Sequence, residues 1–251
     1  MNINKYFELC KNATMPEDFT ISGNAVVIGY AVKGHSRDYL KYNANKTIIV
    51  PEGIEEIADA AFQGEGAKCV ILPTSIKAIG RSVFQHADIK HIIILSKNYS
   101  CRSSILANND CTRYVTSISE GEYKTIFVPT ELSVPRRGRA KSSIRFTKKD
   151  GLKVDVEAYM AVDKMSLPDK FMRAFYATRY FGATAHEDIR KCMKAGMEYA
   201  FEHDEIDLDN FIALYEMGDI TKTNITYLKR LAQAYEKDDI YDYLCSIKPK
   251  G

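Results

Sequence analysis

No stretch of this 251-residue chain approaches the ~20 consecutive apolar residues that carry a helix across a bilayer, so no helical membrane span is expected. Its six cysteines form no CxxC pair and no metal-ligand spacing. A disulfide scaffold would be shorter and denser in cysteine, and scattered free thiols point to a reducing compartment. Residues 1–19 include Lys5, Glu8, Lys11, Glu17 and Asp18 and hold no continuous apolar core, so they do not read as a secretory signal. The expected location is cytoplasmic, with no membrane partner. A Gly-rich phosphate loop followed by Lys-Ser/Thr is missing, as is a GxSxG nucleophile elbow. His35, His86, His91, His186 and His203 are scattered, with no two of them three or four residues apart on one element. His86 and His91 are expected in turns, and His203 beside Asp204 and Asp207 in a solvated acidic turn. Cys192 and Cys245 read as small core residues on apolar helix faces. These absences leave no catalytic constellation, metal or cofactor to expect.

What the chain does have is a repeat. Val50-Pro51, Ile54, Ile57 and Ala61-Phe62 recur 22 residues later as Leu72-Pro73, Ile76, Ile79 and Val83-Phe84. One fixed period matched at all six positions is a strong signal for stacked units. Thr47 to Val50 and Cys69 to Leu72 are β-branched-rich runs closed by proline, which predicts strands that stop where no further donor is needed. The paired isoleucines, three apart, both turn inward from a tight turn, and Phe62 is expected to stack on Phe84. A single coil cannot bury its own apolar face, so the coils must stack.

At these residues the sequence resembles the BspA-type leucine-rich repeat, whose coil reads strand-Pro-x-x-Ile-x-x-Ile-x-x-x-Ala-Phe. The resemblance implies a right-handed solenoid used for protein recognition, without catalytic residues. Phe19 to Tyr30, with Gly23-Asn24 at its centre, reads as a hairpin and resembles the entry hairpin of such solenoids. Beyond the second coil the pattern decays. Ile92 to Leu95 is a third strand with Leu95 in the proline slot, and Ile105-Leu106 fill the Ala-Phe slots. Asn108 to Tyr123 is too long for a coil and reads as an insertion, and Thr125 to Pro129 reads as the last coil.

From about Val154 the apolar period changes to that of helices. Leu167-Pro168-Asp169 opens one, ended by Gly182, and Thr184-Ala185-His186-Glu187 forms a capping box for the next. Asp207 or Asp209 caps a third, ended by Gly218. Thr223 or Asn224 starts a fourth, and a fifth finishes near Ile247. Leu228 to Leu244 resembles the last helix pair of an ankyrin stack, without its Thr-Pro-Leu-His signature. The expected fold is therefore α/β: a short leucine-rich-repeat solenoid of about four coils with an N-terminal capping hairpin, followed by an all-helical C-terminal module. The expected divisions are an N-terminal helix and capping hairpin (1–45), the solenoid (46–135), a basic linker (136–153) and the helical module (154–251).

The overall net charge of +2 hides a segregation. Residues 136–153 hold eight basic residues and one acidic, whereas residues 154–251 hold 13 basic and 18 acidic. The expected role is a non-catalytic protein–protein interaction scaffold. The alternative is a nucleic-acid or ribonucleoprotein binding regulator acting through Arg136, Arg137, Arg139, Lys141, Arg145, Lys148 and Lys149, whose cations would meet phosphate.

Overall fold

The computed structural model describes residues 3–13, 21–22, 25–26, 47–62, 68–85, 87, 89–97, 99–101, 114–119, 122–128, 144–147, 151–161 and 165–249. The chain divides into two compact units, one running from Asn2 to Ala161 and the other from Val162 to Gly251.

The first unit is built on two ladders of parallel strands. Strands β3 (Thr47–Ile49), β5 (Cys69–Leu72), β7 (His91–Ile94) and β9 (Tyr114–Ser119) form one ladder. Thr47 lies opposite Cys69, Cys69 opposite His91 and His91 opposite Tyr114. Strands β2 (Ala25–Val26), β4 (Glu56–Ile57), β6 (Ala78–Ile79) and β8 (Ser100–Cys101) form the other, with Glu56 opposite Ala78 and Ala78 opposite Ser100. Each 22-residue unit of the sequence thus supplies one rung to each ladder. Between the ladders lie the residues of the motif: Ile48, Val50, Ile54, Ile57 and Phe62 from one unit, Val70, Leu72, Ile76, Ile79 and Phe84 from the next, all buried. Phe62 and Phe84 stack at 5.7 Å with an interplanar angle of 11°, an arrangement worth about 0.5–1.5 kcal/mol beyond its buried area. Leu95, which stands where the other units have proline, donates its N–H to Leu72 O at 3.0 Å. Pro51 and Pro73 have no such donor.

The residue preceding the small-apolar-Phe pair is left-handed in both units, with φ of 59° at Ala60 and 53° at Ser82. That turn directs the Ala60 N–H to Arg81 O (2.8 Å) and the Phe62 N–H to Val83 O (3.0 Å), tying one unit to the next. Gly80 is a close-approach position. A Cβ there would stand 2.5 Å from Asp59 N and 2.6 Å from the Ala58 carbonyl carbon.

Each ladder ends on one side in an antiparallel strand. At one end β1 (Ile21–Ser22) pairs with β2 in the hairpin expected from Gly23-Asn24. At the other, β10 (Glu122–Phe127) returns along β9 with Tyr123 opposite Ile118. This corrects the reading of Thr125 to Pro129 as a last coil. A coil would add a parallel rung, whereas only two residues separate Ser119 from Glu122, which forces a hairpin. The fourth rung is β9, inside the stretch taken for an insertion. Ile105 and Leu106 lie outside the described residues.

A second hairpin, β11 (Ile144–Thr147) with β12 (Gly151–Val154), packs beside β8 and β9. It leads into the short helix α2 (Val156–Met160), capped by the Asp155 carboxylate accepting from the Ala158 N–H. Tyr159 of α2 is buried and donates its hydroxyl to Phe127 O at 2.5 Å. Helix α1 (Ile3–Asn12) packs against β5.

The second unit consists of α3 (Leu167–Phe181), α4 (His186–Glu202), α5 (Leu208–Glu216), α6 (Ile225–Ala234) and α7 (Asp238–Ser246). Helix α3 packs on α4, α4 on α6, α5 on α7 and α6 on α7. Helix α3 begins where Ser166 accepts from the Asp169 N–H, and ends at Gly182 with φ 73°, a left-handed cap that glycine adopts without Cβ strain. Asp207 caps α5 by accepting from the Asn210 N–H. The capping box expected at Thr184 does not form. The N-cap is Ala185, one residue later, and it makes no side-chain cap bond. Ile189, Cys192, Met193, Met197, Ala200 and Phe201 of α4 are all buried. Gly196 lets α4 approach α3: a Cβ there would stand 2.5 Å from Phe171 Cβ and overlap the ring.

Candidate interaction surface

Along the first ladder, successive side chains alternate between faces. Ile48, Val70 and Ile92 point into the core. Ile49, Ile71 and Ile93 therefore form a column on the outer face, at 22-residue spacing and in register. Thr47, Cys69 and His91 form a second outer column, and His91 begins β7 instead of sitting in a turn as expected. Ile49 is half-buried, but Ile71 and Ile93 are each only 1% exposed. An outward column this well covered has something lying on it. Over β5 that is α1: it packs against the second strand of the ladder, so it rests on the sheet face and not at its edge. The Glu52 N–H donates to Cys10 O at 3.0 Å, and Cys10 is fully buried. Beside α1 an open cleft of about 350 Å³ is lined by Glu8, Leu9, Asn12, Ala13 and Ile49.

The exposed turns carry a polar lattice with the same period. Thr74 Oγ1 donates to Glu52 (2.7 Å), Ser75 Oγ accepts from the Gly53 N–H (2.9 Å), Lys77 pairs with Glu55 (2.5 Å), and Asp59 accepts from the Arg81 N–H (2.7 Å). Each bond spans 22 residues. The exposed ion pair is worth little, but the set fixes the rotation of one unit on the next.

Of the cations expected to bind phosphate, Arg136, Arg137, Arg139, Lys141, Lys148 and Lys149 lie outside the described residues. Arg145 occupies β11, directly opposite Lys153 of β12. Among the described residues no group of three or more His, Cys, Asp or Glu side chains is placed to hold a metal, and no helix is long and apolar enough to cross a membrane. The Cys10, Cys69 and Cys101 thiols are each pushed up to about 12 by burial, which removes them as nucleophiles near neutral pH. Cys245 is exposed, not the core residue expected, because it falls outside the stripe of Ile240 and Leu244 that α7 buries.

One cluster escaped the sequence reading. Asp219 is fully buried, its carboxylate accepting from Arg190 Nε at 3.0 Å and meeting His186 Nδ1 at 2.8 Å. Asn224 Nδ2 donates to the Asp219 carbonyl (2.8 Å), and Asn224 Oδ1 accepts from the Thr221 N–H (2.9 Å). The cluster ties the start of α4 to the turn before α6. No local motif announces it, since 33 residues separate His186 from Asp219. His203, the other histidine of interest, stacks on Tyr199 at 4.0 Å and its Nδ1 lies 3.0 Å from the Tyr199 carbonyl.

No curated protein and no solved structure matches the chain. A family model does match: the BspA type leucine rich repeat region (6 copies), over residues 36–126, which takes in β3 to β9 and leaves out β1 and β2. The chain thus carries a BspA-type leucine-rich repeat region over residues 36–126 of its first unit.

Proposed function

We propose that the protein is a non-catalytic scaffold for protein–protein interaction, the usual work of leucine-rich repeats. In this reading the two ladders are the walls of a short solenoid of about four coils, closed by the N-terminal hairpin. Its sheet face and adjoining turns meet another protein. The observation that carries the reading is the single 22-residue register shared by both ladders, the Phe62–Phe84 stack and the polar lattice of the turns. It makes a preorganised surface that loses little entropy on binding. The free cysteines fit a reducing, cytoplasmic setting. Affinity purification of the protein from its own cells, with and without nuclease, tests this. A protein partner that survives nuclease, and is lost when exposed turn residues such as Glu52 and Thr74 are replaced, supports the scaffold. Failure to recover one overturns it.

A second reading rests on the β11–β12 register. Arg145 stands in register with Lys153, in a segment (residues 136–153) that holds eight basic residues and one acidic. With Arg136, Arg137, Arg139, Lys141, Lys148 and Lys149 the segment would bind nucleic acid as a regulator. Recovery of nucleic acid in the same purification, lost on neutralising Arg136, Arg137 and Arg139, would favour it.

A further inference from the structure

We infer that the outer face of the ladder at β5, beside Ile49 of β3, is a seat for a short amphipathic helix, and that α1 is its resident occupant, displaced when a partner supplies a helix of the same pattern. The inference deepens the scaffold reading and rests on it, because it names which part of the surface recognises a partner and what that partner presents.

Three features support it. The outer column Ile49–Ile71–Ile93 is an apolar stripe on a regular sheet, and stripes of this kind are covered either by the chain itself or by a binding partner. In this chain α1 shows what fits there: a helix of 10 residues whose fully buried Cys10 sits between half-buried Phe7 and Ala13. These positions lie three apart, the spacing of one helix face in a helix-in-groove interface. The fit is also incomplete. The cleft of about 350 Å³ between Leu9, Ala13 and Ile49 is open, and Ile49 stays half-buried while Ile71 and Ile93 are sealed. A longer or bulkier helix would fill that cleft and gain the remaining Ile49 area, which gives a partner its advantage over α1. A 10-residue helix is marginal by itself and keeps its shape through packing, so release from the sheet unravels it. The partner's chemistry follows: apolar residues at i, i+3 and i+6 or i+7, with a bulky side chain at the end that reaches Ile49, and polar residues elsewhere.

The test uses a fluorescent peptide of residues 1–20 and two forms of the protein, the full chain and one lacking residues 1–13. The peptide is expected to bind the shortened chain saturably, and the full chain at least about tenfold more weakly because α1 competes for the site. Cys10→Asp in the peptide is expected to abolish binding. Equal binding to both forms, or none to a shortened chain that retains its cooperative unfolding, overturns the inference. Amide exchange on the full chain covers the case in which the shortened form does not fold. Amides of residues 3–12 are expected to exchange through an opening well below the global one, while those of β5 and β7 remain protected. Exchange of α1 together with β5 makes it an integral part of the core and refutes the proposal. Neither readout needs the cellular partner. A recovered partner with failed peptide binding would therefore leave the scaffold reading standing and remove only this groove.

Discussion

Gly196→Ala separates two effects of opposite sign. At an exposed helix-interior site the change stabilises a protein by about 1 kcal/mol, because alanine has the higher helix propensity. Gly196 is buried where α4 crosses α3, and the new methyl would overlap the Phe171 ring and stand 2.5 Å from Phe171 Cβ. Rotation of the ring does not relieve the contact, because a Cβ is fixed to its backbone, so the helices themselves must separate. Overpacking of this kind costs about 1–3 kcal/mol, and a contact that the side chain cannot escape belongs at the upper end. The net expectation is a loss of about 2 kcal/mol. For a unit of this size that lowers the melting temperature by roughly 10 °C. Thermal and urea melts followed by helical ellipticity read the shift. Phe171→Ala by itself removes a fully buried ring and costs about 3–5 kcal/mol. Combined with Gly196→Ala it should cost less than the sum of the two, since the larger part of the clash has gone. A Gly196→Ala protein that melts higher than the parent, or a strictly additive double variant, would refute the close-packing argument.

Other expectations follow from the same geometry. Phe84→Ala should cost about 3–5 kcal/mol in the first unit, lost from its unfolding midpoint, because it opens a cavity and breaks the stack with Phe62. In the helical unit, Arg190→Met should destabilise more than Asp219→Asn. The first leaves a buried carboxylate short of a donor, whereas the second leaves a half-exposed guanidinium and imidazole that water can solvate; urea titrations showing the reverse order would sink the argument. With the Cys10, Cys69 and Cys101 thiols raised from 9.0 to about 12, folding disfavours their thiolates. Stability from this source is intact below pH 9 and declines as pH rises toward 12, and unfolding midpoints measured across that range check the sign. At pH 8, alkylation followed by peptide mapping should label exposed Cys245 well before those three.

The repeat was legible because a core residue at a fixed period leaves the same mark in each unit. Val50, Ile54, Ile57 and Phe62 are apolar for the same reason as Leu72, Ile76, Ile79 and Phe84, and one pattern match predicted both the stack and the register. The fourth rung was not legible, because β9 reads Tyr-Val-Thr-Ser-Ile-Ser with no closing proline. At the end of a stack the outer side is met by a hairpin instead of another coil, so the motif is no longer required there. Helix ends were readable where one residue type does the work, as at Gly182, and narrowed to Asp207 or Asp209 for α5, of which Asp207 is the cap. They misled at Thr184, where the capping pattern is present but the helix starts one residue later. The Asp219 cluster and the seat of α1 were invisible for a common reason. Each joins residues far apart in sequence through tertiary packing, and neither has a period.

The antiparallel strands at the two ends of the ladders have a consequence for assembly and descent. A parallel stack has no natural length, since its last strand offers the next one the same edge that it received. Here β1 and β10 turn back and spend those edges on the chain itself. At each end of the array one ladder is thereby capped, by β1 on the β2 side and by β10 on the β9 side, and offers an antiparallel strand where a further coil would need a parallel one, while β3 and β8 stay the end strands of their ladders. Its length can change from within, by duplication or loss of a whole 22-residue unit between the two ends. Such a change would carry strand, turn and phenylalanine together and leave both terminal hairpins in place.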